Sequence, residues 1–169
     1  MAYGITAPRV GFQPIANTET TAKHQLGTRV WANDPVYGEG EFIYLKGVAS
    51  TVVGSVVTWD GASSGTPTYQ TALAPATANL GQPLAVSMSA NVAGQFGWYQ
   101  IAGNAVVATN GTLVAGPGKV FLAGSGTVTS TAAAGTQVLA ARNCTATGTP
   151  AANQAVIQIE RPSAQGQIT

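Results

Sequence analysis

The chain has 169 residues, which suits one ordinary domain with its own hydrophobic core and is too short for two comfortable ones. A hydrophobic fraction of 45% and a net charge of +1 exclude an intrinsically disordered chain, because disorder goes with few apolar residues and high net charge. Charged residues make up only 8% of the chain, and the few basic ones are scattered, which excludes binding of nucleic acid through its phosphates.

Residues 1–26 are predicted to form an extended N-terminal arm. They contain Pro8 and Pro14 and lack sustained helical or alternating periodicity. Extended at about 3.3 Å per residue, the arm would reach roughly 80 Å, far enough to contact a neighbouring subunit. Arg9 and Phe12 are its candidate contact residues, and a frayed terminus is the alternative interpretation. With no basic start followed by an apolar stretch and no segment long enough to span a bilayer, we expect a soluble protein that is made inside the cell.

From residue 27 onward, short runs of Val, Ile, Thr and aromatic residues are separated by Gly, Pro, Asn-Gly and Asp-Gly. This pattern is typical of β-strands joined by turns, and no window combines helical spacing with a convincing cap. We therefore predict a single all-β domain at residues 27–162 and a flexible C-terminal tail at 163–169. The predicted strands are Thr28–Ala32, Glu41–Leu45, Val52–Trp59, Leu84–Ser89, Phe96–Ala102, Ala105–Thr109, Lys119–Leu122, Gln137–Arg142 and Ala155–Glu160.

Two of these strands carry bulky side chains on both faces. In the first, Phe42 and Tyr44 alternate with Ile43 and Leu45, and in the second, beginning at Phe96, a similar alternation occurs. The pattern predicts a sheet that packs on the core through one face and on another subunit through the other. The candidate interface residues of the domain are Phe42, Tyr44, Phe96, Trp98 and Tyr99.

Three dipeptides, Asp60-Gly61, Gly103-Asn104 and Asn110-Gly111, supply residues that tolerate positive φ between apolar runs and predict hairpins. The best of these signals, Asn110-Gly111, would join the run AVVAT to TLVAG. Together with longer loops at 61–68 and 143–153, the pattern predicts an antiparallel β-sandwich, a jelly roll or a small barrel, and leaves these three open.

The chain offers few groups for chemistry, and no catalytic, cofactor-binding or metal-binding residue is predicted. His24 is the only histidine and is expected to be exposed. Glu39 and Glu41 would share one strand face, which suits edge protection or an ion pair between subunits more than acid–base catalysis. Cys144 is the only cysteine, which excludes an internal disulfide, and it is expected to be a partly buried thiol.

A long stretch of the chain carries no ionisable acid or base. Between Gly61 and Pro117 there is no Asp, Glu, Lys, Arg or His. A free monomer with such a surface has weak protection against association, since net charge is what keeps proteins apart in solution. The composition therefore predicts that a partner covers much of this surface.

Three segments carry a resemblance to a known family: GEGEFIYLKGVASTVVGSVVTWD, PLAVSMSANVAGQFGWYQIAGNAVV and the closing AVIQIERP. Within about residues 25–161 the chain resembles the head decoration, or cement, proteins of tailed bacteriophages. The resemblance implies a β-rich protein made in the cytoplasm of the bacterial host and located on the exterior of the capsid. Its partners would be the major capsid protein and further copies of itself, a trimer being favoured over a dimer, with no membrane and no direct nucleic-acid contact.

Two other functions stay open. The chain could serve as a different head or head–tail component of the virion. Alternatively, aromatic residues on its strands, Trp98 among them, could form a carbohydrate-binding module on the capsid surface.

Overall fold

The chain folds into β-strands in a computed structural model that describes residues 4–5, 13–60 and 68–167. No helix occurs in the described residues, and hence none that could cross a membrane. The all-β prediction is confirmed. The strands are β1 (Gly4–Ile5), β2 (Thr18–Glu19), β3 (Arg29–Asp34), β4 (Gly38–Lys46), β5 (Val56–Trp59), β6 (Thr71–Leu73), β7 (Leu84–Ser87), β8 (Phe96–Ala108), β9 (Phe121–Gly124), β10 (Thr127–Thr129), β11 (Val138–Asn143) and β12 (Gln154–Ala164).

β4 and β8 lie at the centre of a large antiparallel sheet. Its strands follow the order β1, β3, β4, β8, β7, β5, β6, and each neighbouring pair is antiparallel. β8 also pairs with β12 through residues 102–108, and β12 pairs in turn with β11. β9 and β10 form a separate two-stranded sheet. The predicted antiparallel, sandwich-type fold is thus the one observed.

The predicted turn at Gly103-Asn104 is wrong, because β8 runs through both residues without reversing. Gly103 does have a positive φ of 96°. Gly103 adopts this conformation at the point where β8 stops pairing with β4 and begins to pair with β12. The pairing of β4 with β8 has a register shift nearby, between Glu41 and Phe42. Asn104 then donates a hydrogen bond from Nδ2 to the carbonyl oxygen of Tyr37 at 3.2 Å. A glycine that tolerates positive φ marks an irregularity within a strand here and not a hairpin.

The other two hairpin signals have different outcomes. Gly111 has a φ of 89°, but residues 111–120 form a loop and not the second strand of a hairpin. In this loop Leu113 is buried in the core, and its N–H donates to Thr147 Oγ1 at 2.8 Å. β5 and β6 pair antiparallel, as the signal at Asp60-Gly61 indicates, and residues 60–70 connect them. Gly61 lies outside the described residues.

Alternation along β4 places its side chains in two different hydrophobic clusters. Phe42 and Tyr44 pack with Trp98 of β8, whereas Ile43 and Leu45 pack with Tyr99 on the opposite face. The predicted alternation is confirmed. A third cluster joins the second half of β8 to β12 and to β9 and β10, through residues that include Val107, Ile157, Leu122 and Val128.

The described part of the N-terminal segment, residues 13–26, lies on the domain. Ile15 is only 2% exposed and belongs to the cluster of Tyr44 and Trp98. β2 pairs with the start of β8, and the N–H of Lys23 donates to the Tyr44 hydroxyl at 3.3 Å. Residues 13–26 of the predicted extended arm therefore pack on the chain's own domain. At the other end β12 continues to Ala164, which is buried, so the strand extends beyond the predicted domain boundary at residue 162.

Candidate interaction surface

Four of the predicted interface residues belong to the protein's own core. Phe42, Tyr44, Trp98 and Tyr99 have no exposed surface, and burial raises the pKa of the Tyr99 hydroxyl to about 12. The second face of the β4 and β8 strands is covered by the chain's own N-terminal segment, so no subunit is needed there. Phe96 is half-buried against the same cluster. Arg9 and Phe12 lie outside the described residues.

His24 is packed against aromatic rings and is not the exposed residue that the sequence predicts. Its ring centroid lies 5.1 Å from that of Tyr44, edge-on, and 5.4 Å from that of Trp98. Desolvation by this burial lowers the pKa of His24, and the negative charge of Glu19 partly opposes the effect. The histidine helps to attach the N-terminal segment to the sheet.

The lowered pKa of His24 predicts a loss of stability in weak acid. In the unfolded chain the pKa of His24 has its ordinary value of 6.5. As the pH falls through 6.5, the unfolded state therefore takes up a proton before the folded state does. The free energy of unfolding should therefore decrease between about pH 7 and 5.5, where ordinary carboxylates do not titrate. Urea denaturation at several pH values measures how the free energy of unfolding changes with pH. The variant His24→Phe serves as the control, and an equal slope in that variant would assign the effect to another group.

Glu41 is a buried carboxylate that pairs within the chain. It is 3% exposed and accepts hydrogen bonds from Arg161 of β12, from Nε at 2.9 Å and from Nη2 at 3.2 Å. Arg29 Nη1 lies 3.8 Å from its Oε1. Glu39, by contrast, is exposed. The predicted ion pair at this strand thus exists but joins β4 to β3 and β12 of one molecule.

Two other side chains are Asp34, which stabilises a turn, and Cys144, which lies on the surface. Asp34 Oδ1 accepts the backbone N–H groups of Val36 at 2.8 Å and Tyr37 at 2.9 Å, which fixes the turn between β3 and β4. Cys144 is exposed, contrary to the partly buried thiol that the sequence predicts. Across residues 13–60 and 68–167, no cluster of three or more His, Cys, Asp and Glu side chains could hold a metal ion.

Two adjoining clefts form an apolar surface that the sequence analysis missed. The first, of about 410 Å³, is lined by Pro35, Val36, Tyr37, Val53, Val106 and Pro150. The second, of about 350 Å³, is lined by Ile15, Ala16, Val53, Met88 and Ala90. Val53 lines both clefts, so they meet at this residue, and we call them together the valine groove. Val36 stands at the edge of the groove with 77% of its surface exposed.

Most residues that line the valine groove are apolar, and four are polar. The remaining lining residues of the two clefts are Asp34, Gln154, Thr18 and Ser89. Asp34 is buried and is held by the two backbone N–H groups of its own turn. A contiguous apolar patch on a protein surface is typical of an interaction site, whereas single exposed valines are ordinary.

One signal in the sequence points to a single residue of the valine groove. Val36 occupies the tip of a tight turn, Asp34-Pro35-Val36-Tyr37-Gly38, where a polar residue is usual. Val53 belongs to a predicted strand at 52–59, but β5 begins only at Val56, so Val52 and Val53 lie in an exposed loop.

Comparisons with known proteins find no family model, no curated protein and no solved structure that matches this chain. The fold defines its class as an antiparallel all-β protein, and an apolar groove lies on its surface.

Proposed function

We propose that this chain is a structural protein of a tailed-phage virion, which decorates the outer surface of the head and stabilises contacts between major capsid protein subunits. The observation that carries the proposal is the uncharged surface. Residues 68–117 contain no Asp, Glu, Lys, Arg or His, although many of them are exposed, Val92 and Val114 among them. The resemblance to head decoration proteins supports the same function.

The charge distribution favours burial against protein. Cores of protein interfaces are depleted in charged residues, because an ion loses its hydration there without a guaranteed partner. In this chain Asp34 and Glu41 are themselves buried, so they add little charge to the surface. An extended neutral surface with an apolar groove therefore suits a lasting contact with other subunits better than free diffusion in water.

The function would require no reaction. Each copy would touch several shell subunits, so individually modest contacts act together, and the shell resists shear between its capsomers. The alternative virion role, as another head or head–tail component, rests on the same surface and differs in where the protein binds.

Co-sedimentation tests the proposal. The purified chain should pellet with mature, expanded shells of the phage that encodes it, and should bind isolated major capsid protein far more weakly, because only the lattice offers several contacts at once. Equal binding to both would contradict the clamping role, and binding confined to tails would favour the alternative.

A further inference from the structure

Asn110 and Gly111 form the only Asn-Gly pair in the chain. Both residues are exposed, and they lie just beyond the end of β8. The N–H of Asn110 donates to the carbonyl oxygen of Val128 at 3.0 Å, and the carbonyl oxygen of Gly111 accepts from Thr147 Oγ1 at 3.2 Å. The peptide bond between Asn110 and Gly111 is therefore held at a defined place on the surface.

The backbone nitrogen of Gly111 is accessible for reaction. Across residues 13–60 and 68–167, no group accepts a hydrogen bond from its N–H, so no such bond has to break before the proton is lost. Gly111 has no side chain to shield the nitrogen, and a Cβ built on this residue would meet only Thr129 Oγ1, at 3.7 Å. Attack of this nitrogen on Cγ of Asn110 closes a five-membered ring.

We propose that Asn110 is a site of spontaneous deamidation in the folded protein. Hydroxide takes the proton from the nitrogen of Gly111, and the nitrogen then attacks Cγ of Asn110. The bond from Cγ to Nδ2 breaks, and Nδ2 takes a proton from water and leaves as ammonia. The product of this step is a cyclic imide.

Water opens the imide in one of two ways. Addition of water at Cγ restores the main chain and leaves aspartate at position 110. Addition at the main-chain carbonyl carbon leaves isoaspartate, in which the main chain runs through Cγ. Either route consumes one water molecule and releases one ammonia, without an oxidant or a reductant.

The reaction changes the charge of a neutral surface. Residues 68–117 contain no Asp, Glu, Lys, Arg or His, so either product places the first carboxylate in this stretch. The formal net charge of the chain falls from +1 to zero. The reaction needs only the isolated chain and water, and it does not depend on the proposed role in the capsid.

Asn153 is the matched internal control for Asn110. It is also exposed, with a positive φ of 57°. The next N–H, that of Gln154, donates to the carbonyl oxygen of Ala151 at 3.0 Å, and Gln154 carries a side chain. Because its neighbouring nitrogen is both bonded and shielded, Asn153 should react much more slowly than Asn110.

Peptide mapping by mass spectrometry tests the proposal, after incubation of the folded, full-length chain in mildly alkaline buffer. Aspartate and isoaspartate forms of the peptide that contains position 110 should accumulate, and faster as the pH rises. Anion-exchange chromatography should resolve a more acidic form of the intact protein. Asn110→Gln should lose this form, because its longer side chain closes the ring less readily, and circular dichroism should establish that the variant keeps its strands.

Incubation of the same chain in guanidinium chloride distinguishes the folded structure from the sequence alone. Asn110 should react in both states, since neither burial nor a hydrogen bond protects the nitrogen of Gly111 in the folded protein. Reaction of Asn110 in the unfolded chain only would show that the fold shields it and would overturn the proposal. Reaction of Asn153 as fast as Asn110 in the folded protein would do so as well.

Discussion

Ile15→Ala is expected to lower the free energy of unfolding by about 2–5 kcal/mol, the usual cost of removing a large aliphatic side chain from a core. Ile15 is only 2% exposed and packs in one cluster with Tyr44, Met88 and Trp98. If residues 13–26 were a free arm, the substitution would change nothing. The melting temperature should fall by roughly 4–20 °C, since about 2–4 °C accompanies each kcal/mol in a domain of this size.

Val52→Ala is the control for Ile15→Ala. Val52 is exposed, and the loss of its side chain should change stability by less than about 0.5 kcal/mol. Equal stability of Ile15→Ala and the unmodified protein in thermal and urea denaturation would mean that the N-terminal segment does not belong to the core.

Arg161→Ala is the second substitution with a large expected effect. It would leave the Glu41 carboxylate buried, with only Arg29 Nη1 at 3.8 Å for compensation. Glu41 is the buried partner, whereas Arg161 reaches it from the surface with 60% of its side chain exposed. Removing Arg161 is destabilising because the buried carboxylate loses its two hydrogen bonds and recovers only part of its hydration. Urea denaturation should reveal a clear loss of stability in this variant.

A double-mutant cycle separates the ion pair from other effects. Glu41→Gln removes the charge, so the double variant Glu41→Gln with Arg161→Ala should lose much less stability than the sum of the single losses. Arg142→Ala is the matched control, since Arg142 is an exposed strand arginine whose Nε donates to the neutral Gln158. Additive losses in the cycle would show that Glu41 and Arg161 do not depend on each other.

Local patterns in the sequence predicted the class of fold and the faces of individual strands. Alternation placed Phe42 and Tyr44 opposite Ile43 and Leu45, as observed, because successive side chains in a strand must point to opposite faces. What covers each face could not be predicted, since that depends on distant parts of the chain. Residues 13–26, weakly patterned themselves, supply the cover that the sequence analysis assigned to a second subunit.

Turn signals were less informative than strand signals. Gly103 and Gly111 both adopt the positive φ that their dipeptides indicated. Positive φ, however, is equally required at irregularities within a strand and at the start of a loop, and only long-range pairing decides between them. The pairing of β8 with both β4 and β12 is such a long-range feature.

The valine groove was not predicted, for a similar reason. The residues of its first cleft come from the β3–β4 turn, the loop before β5, the end of β8 and the loop before β12, with Val36, Val53, Val106 and Pro150 as examples. Nothing in the sequence relates these positions until the strands are paired. The shortage of charge, in contrast, is visible in the composition alone, and it carries the prediction that neighbours cover this surface.

The central claim is that this protein acts by being built into a larger shell, and cryo-electron microscopy of expanded shells saturated with the purified chain tests it most directly. We predict ordered additional density on the outer surface, in contact with more than one major capsid protein subunit. Shells without added density, from a chain that stays entirely in solution, would contradict it.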